Sequence, residues 1–177
     1  MVKALKIIGF SLFFIASIMF FLPKTNFYYL VENELKKQNI VISNETIIES
    51  GFKLDIKDAD VFFNSIKSAK VKDIEITSLL FYNSVNITDV KLYALAGSFF
   101  PTKIQNITFR YTILNPLNIN INANGGFGKA KATFSIVDKR LHLTINPSKK
   151  MLKRYKKTLR FLTKNKDGAY SYDTNFN

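Results

Sequence analysis

Leu54-Asp55-Ile56-Lys57-Asp58-Ala59-Asp60-Val61 is the stretch on which the fold turns, and its pattern is written three more times before Phe109. The later copies are Ala69-Lys70-Val71-Lys72-Asp73-Ile74-Glu75-Ile76, Val85-Asn86-Ile87-Thr88-Asp89-Val90-Lys91-Leu92 and Thr102-Lys103-Ile104-Gln105-Asn106-Ile107-Thr108-Phe109. Small or apolar residues alternate with polar ones, the two-residue period of a half-buried strand. In every copy the phase slips by one at the Asp or Asn: Asp58, Asp73, Asp89 and Asn106. Such a slip turns the second half of a strand outward unless an extra residue is accommodated, which a β-bulge does. Asp and Asn suit the position because they tolerate irregular backbone and bond locally to it. The slip residues lie 15, 16 and 17 apart, room for one strand and a turn. The pattern predicts four neighbouring strands, each bent near its middle, in a curved antiparallel sheet with one apolar face. The competing reading splits each copy at its Asp into two shorter strands.

Upstream, Lys3 and Lys6 precede sixteen uncharged residues, Ile7 to Leu22. At about 1.5 Å per residue these span roughly 24 Å, and counting Ala4 and Leu5 brings the run close to a hydrocarbon core of about 30 Å. Phe20-Phe21-Leu22-Pro23-Lys24 lacks the small-x-small site of a cleaved signal peptide, so residues 1–24 read as a retained transmembrane anchor with its N-terminus inside. Residues 25–39 read as a helical stalk capped by Thr25 or Asn26, with Phe27, Leu30, Val31 and Leu35 on one face and a Glu32–Lys36 pair. Residues 40–177 form the β-rich domain, opening with a strand from Ile40 to Ile48. Ser78-Leu79-Leu80-Phe81-Tyr82, apolar on consecutive positions, reads as a buried strand end or bend.

Past Pro116, three alternating runs (Leu117 to Ala123, Ala130 to Ile136, Leu141 to Ile145) are separated by Gly125-Gly126-Phe127-Gly128 and Asp138-Lys139, which predicts a three-stranded meander. Ser148 is placed to cap a helix from Lys149 to about Asn165, with Met151, Leu152, Tyr155, Leu159 and Leu162 at helical spacing. Ala169 to Tyr172 alternates again and can add a last strand. The fold class is therefore mainly β (α+β): a membrane helix, a curved sheet of bulged repeating strands, and one C-terminal basic amphipathic helix.

Of 177 residues none is cysteine, which removes disulfides, thiolate metal sites and thiol nucleophiles. The only histidine, His142, lies between Leu141 and Leu143 and so faces away from the apolar side. The paired carboxylates Asp58/Asp60 and Asp73/Glu75 recur with the strand pattern, which gives them a structural role. The glycine turn lacks the ending of a phosphate loop and leads into a strand. The chain reads as a protein without catalytic, metal or cofactor sites.

Formal charge is +13, and residues 149–167 hold nine cations against one acid. Lys149, Lys150, Lys153, Arg154, Lys156, Lys157 and Arg160 are the candidate contact residues for anionic lipid headgroups or a protein partner. Nucleic-acid binding has no reading motif or aromatic interleaving behind it. Ile56, Val71, Ile74, Ile76, Ile87, Ile107 and Phe109 are the candidate lining of an apolar groove, joined by Ile121, Phe134 and Leu143. So large a greasy face cannot stay in water, and a helix about 24 Å long covers only part of it. The sheet is expected to curl into a half-open trough, with the C-terminal helix closing one side.

The short anchor, the stretch Ala69 to Phe81, the repeated alternating strands and the Gly126-Phe127-Gly128 meander together resemble the type II secretion system protein N family, within the wider group of AsmA-like bacterial envelope proteins. The resemblance implies a single-pass inner-membrane protein with its C-terminal β domain in the periplasm and no catalytic residues. It implies an accessory role in a type II secretion-like or envelope-assembly complex, with other envelope proteins as partners. The AsmA-like side implies the alternative, a module that binds or transfers lipid or lipopolysaccharide on the apolar face of a curved sheet. The chain is shorter than typical members of either group.

Overall fold

The computed structural model describes residues 2–93 and 99–176. Helix α1 (Val2–Phe21) is 20 residues long and apolar enough to cross a bilayer, and it buries none of its residues against the domain. Pro23 ends it. Helix α2 (Lys24–Lys37) follows at once, starting earlier than Thr25 or Asn26 would have it. Its cap comes from another element: the Glu49 carboxylate accepts from Lys24 N–H at 2.8 Å, from Thr25 N–H at 3.2 Å and from the Thr25 hydroxyl.

The stretch expected as a stalk lies against the sheet. Its docked face differs from the expected one, since Tyr28 and Glu32 are buried while Phe27, Leu30 and Val31 are exposed. Tyr28 joins the core of Leu54, Ile56 and Ala59, and its hydroxyl donates to Glu45 at 3.0 Å. A tyrosine can thus cover apolar surface and still satisfy its polar end. Glu32 is held by Lys36 at 2.8 Å, the expected i,i+4 pair.

One antiparallel sheet contains all eleven strands: β1 (Ile40–Ser43), β2 (Thr46–Ser50), β3 (Lys53–Phe63), β4 (Ile66–Ser78), β5 (Tyr82–Leu92), β6 (Lys103–Thr112), β7 (Asn118–Gly125), β8 (Gly128–Ser135), β9 (Arg140–Pro147), β10 (Thr163–Lys164) and β11 (Tyr170–Asn175). The order is β1-β3-β4-β5-β6-β7-β8-β9-β11-β10, with β2 also on β3, so the sheet is open and not a barrel. The meander is β7 to β9, and the tail adds β11 against β9.

The four repeats are continuous strands, and their slips line up as a crease. Lys57 pairs with Asp73 and Ala59 with Val71, leaving Asp58 opposite Lys72 at the interruption. The next pairs of strands break at the same level, between Asp73–Thr88 and Val71–Val90, then between Thr88–Asn106 and Val90–Ile104. The unpaired residue at this level is Asp58 in β3, Lys72 in β4, Asp89 in β5 and Gln105 in β6, so in β4 and β6 the slip falls one residue before the expected Asp73 and Asn106; the register then resumes unshifted. At β6–β7, where β7 has no slip, the register shifts between Ile104 and Asn106, and β3–β4 shifts once near its end, between Val61 and Phe62. Asp58 (φ 58°) and Asp89 (φ 51°) take the left-handed conformation; Asp73 and Asn106 do not. The crease continues to the sheet edge, where Asn44 (φ 64°) divides the expected opening strand into β1 and β2. None of the four copies is split in two.

The slips keep apolar side chains on one face on both sides of the crease. Cross-strand pairing then makes two rows: Ile56, Ile74, Ile87, Ile107, Ala123, Ala130 and Ile145 in one, and Leu54, Ile76, Val85, Phe109, Ile121, Ala132 and Leu143 in the other. Each apolar cross-strand pair contributes about 0.2–1 kcal/mol beyond an Ala pair. Leu92 on β5 and Leu143 on β9 stand four strands apart, about 19 Å at the usual strand spacing. Both nevertheless line one cavity of about 290 Å³. The sheet therefore curls about this face.

The C-terminal segment corrects the expectation. In place of one helix to Asn165 there are two short ones, α3 (Lys149–Arg154) and α4 (Lys156–Leu159), broken at Tyr155 (φ −119°, ψ 32°). Ser148 caps α3 as expected, its hydroxyl accepting from Met151 N–H at 3.1 Å. Beyond α4 the chain turns extended because Thr163 and Lys164 pair with Ser171 and Tyr170 of β11. Gly168 (φ 86°) serves that β turn and not a helix end.

Candidate functional site

The candidate site is the concave face. At its β1–β4 end α2 roofs it: Leu54 and Ile56 are 1 % exposed, and Val71 is buried with them. Towards β9 the roof stops, and Ile74, Ile76, Ile87, Ile107 and Phe109 are only half-buried. Of the seven expected groove residues, two are sealed core and five remain on the open part of the face. Here the 290 Å³ cavity is walled by apolar side chains alone, among them Ile104, Ile107, Ala123, Ala130, Leu143 and Ile145.

Phe127, in the glycine turn between β7 and β8, closes the cavity from one side. It folds inward to 7 % exposure and packs with Met151 and Leu159. Gly128 permits this, since its φ of 114° is open to glycine and a Cβ there would strike the Asn146 carbonyl. By sequence alone this turn reads only as a hairpin. A lone aromatic among three glycines was the available signal.

The cations Lys149, Lys150, Lys153, Arg154, Lys156, Lys157 and Arg160 lie on α3, α4 and the residues beside them. Ser148 donates to the Gly126 carbonyl at 2.7 Å and Thr158 to the Phe99 carbonyl at 2.6 Å, which pins this segment to the β5–β6 and β7–β8 turns. Helix α1 meets the opposite turn edge: Phe20 packs edge-to-face against Phe52, in the β2–β3 turn, with centroids 5.3 Å apart. The basic segment is thus on the edge of the sheet away from α1. No carboxylate lies within ion-pair distance of these seven cations among the described residues. Lys156 and Arg160 border a surface hollow of about 380 Å³ floored by Leu159, Leu162 and Tyr170.

Leu79-Leu80-Phe81 forms a bend between β4 and β5, one of the two forms expected, but the burial is corrected: all three residues are exposed. Leu79, Leu80 and Phe81 share a crevice of about 360 Å³ with Leu12, Ala16 and Met19 of α1.

The outer face carries the polar chemistry. His142 Nδ1 lies 3.0 Å from Asp173 and its Nε2 lies 3.3 Å from the Thr144 hydroxyl. The His142 hydrogen bond, followed by that of Arg140, holds the Asp173 carboxyl below its usual range. The three groups stand on open strand surface, more than two-fifths exposed at His142 and Asp173. Among the described residues no group of three or more His, Cys, Asp or Glu is placed to hold a metal ion. No family model, no curated protein and no solved structure matches the chain.

Proposed function

We propose that this chain is a non-enzymatic, membrane-anchored module that holds lipid acyl chains on the concave face of its curled sheet. One observation carries the reading: two unbroken apolar rows run from β3 to β9 into a cavity walled only by apolar side chains, which the protein's own helices leave partly uncovered. Large exposed apolar surfaces mark binding sites or membrane contacts, and this one is concave and continuous. With an anchor at one end, lipid is the apolar ligand within reach. The reading fits a bacterial inner-membrane protein with its domain in the periplasm, in the company of AsmA-like envelope proteins.

The seven unpaired cations favour a second reading for the far edge, docking of an acidic partner protein. That is how an accessory component of a type II secretion-like or envelope-assembly complex would attach. The two readings concern different surfaces and are compatible.

Gentle detergent extraction followed by lipid quantification tests the first. Wild-type protein retains lipid in a fixed ratio. Ala123→Phe with Ala130→Phe, which fills the cavity without burying charge, retains much less at an unchanged circular dichroism spectrum. Equal retention by both proteins contradicts the reading.

A further inference from the structure

The Leu79-Leu80-Phe81 turn has a neighbour whose environment is fixed by its composition. Leu12, Ala16 and Met19 stand at i, i+4 and i+7 on α1, one face of a helix that crosses the bilayer. The apolar run ends at Leu22, so Leu12 lies about ten residues, roughly 15 Å, inside it, near the middle of a hydrocarbon core of about 30 Å. A turn that shares a crevice with Leu12 through Met19 lies within the apolar layer and not above it.

The turn is built for that setting. Leu80 and Phe81 are 43 % and 53 % exposed, and its three residues carry no charge. Backbone polar groups in a bilayer must be satisfied internally. Two of this turn's groups are so satisfied: Leu79 N–H donates to the Tyr82 carbonyl at 2.9 Å, and the Phe81 carbonyl accepts from Ile113 N–H of the adjacent turn at 3.1 Å. That next turn presents Ile113 and Leu114, the latter 94 % exposed. Behind the apolar tips stand Tyr82, Tyr111 and Arg110, with the Arg110 guanidinium 6.0 Å from the Tyr82 ring. Apolar tip, tyrosine and then cation is the succession seen from a membrane interior to its interface.

We infer that the β4–β5 turn, with Ile113 and Leu114 beside it, is a second membrane-insertion element, its occupant the acyl chains of the bilayer that α1 crosses. The domain is then seated on the membrane at two points and does not swing on a stalk. The inference needs only the anchor and holds whether or not the trough is filled.

The chain's lack of cysteine allows a direct test. Full-length protein with Leu80→Cys, Leu114→Cys or Asn64→Cys is labelled with an environment-sensitive fluorophore and reconstituted in phosphatidylcholine vesicles with or without doxyl-lipid quencher. Labels at Leu80 and Leu114 should emit to the blue and be quenched several-fold more strongly by doxyl lipid than the label at Asn64, in the β3–β4 turn on the far edge. Leu79→Asp with Leu80→Asp, changes in an exposed turn, should move the Leu114 label towards water with the sheet's circular dichroism unchanged. Iodide quenching of the Leu80 label equal to that at Asn64 overturns the inference. So does a blue-shifted Leu80 label that ignores doxyl lipid but responds to protein density, which reports contact with a second copy.

Discussion

Lys24 and Glu49 lock the apolar helix α1 to the domain. The Glu49 carboxylate takes the Lys24 N–H at 2.8 Å and so caps α2, while the Lys24 ammonium turns back to the Leu22 and Met19 carbonyls at 2.9 and 3.2 Å and caps the end of α1. One side chain from β2 and one from the elbow thus satisfy the facing ends of two helices, whose terminal groups have no partners within the helix.

Removing the carboxylate with Glu49→Ala should cost about 0.5–2 kcal/mol, the usual worth of an N-cap, read by urea unfolding in mild detergent. Hydrogen bonds from the Thr25 hydroxyl first, and then from Lys24 N–H, hold the Glu49 carboxyl below its ordinary 4.5. A depressed folded-state value means that the stabilisation is present above about 4.5 and is lost as the pH falls through the folded value. The stability gap between wild type and Glu49→Gln should therefore be constant near neutrality and close in acid. A gap unchanged down to pH ~3 contradicts the lock.

The crease makes a sharper distinction between residues that look alike in sequence. Asp58 and Asp89 have left-handed backbone, which costs a residue with a Cβ roughly 1–2 kcal/mol and glycine nothing. Asp58→Gly and Asp89→Gly should hold or raise the melting temperature, and Asp58→Val should lower stability by about 1–2 kcal/mol or more. Asp73→Val, at the matching place in the next repeat but outside the left-handed region, should stay within about 0.5 kcal/mol of wild type.

At the C-terminus Met151 is fully buried and Leu159 is 4 % exposed, whereas Leu152 is 41 % exposed. Thermal melts should show Met151→Ala and Leu159→Ala losing about 2–5 kcal/mol. Leu152→Asp, and Lys153→Glu with Lys157→Glu, should change stability by no more than about 0.5 kcal/mol. The charge reversal should instead weaken capture of an acidic partner from crosslinked envelopes.

The β architecture was readable because alternation and its interruptions are properties of single residues. Ile56, Ile74, Ile87 and Ile107 announced one face, and Asp58, Asp73, Asp89 and Asn106 announced to within one residue where each strand bends. What could not be read depends on competition between distant segments. Met151, Leu152, Tyr155, Leu159 and Leu162 fit a helix by spacing alone, but β11 offers Thr163 and Lys164 strand partners, and that pairing wins. The docked face of α2 was hidden for a similar reason: Tyr28 displaces Phe27 and Leu30 because Glu45, seventeen residues on, receives its hydroxyl. The inward turn of Phe127 rests on Met151 and Leu159, which no local pattern joins to it.

The claim that the concave face holds acyl chains is tested most directly by photocrosslinking in native membranes. A benzophenone side chain at Ile121 or Leu143 points into the trough, and one at Asn120 or His142, the adjacent register positions, points out of it. Lipid adducts identified by mass spectrometry are predicted at Ile121 and Leu143 and not at Asn120 or His142. No adduct at the inward pair, or equal adducts at all four, contradicts it.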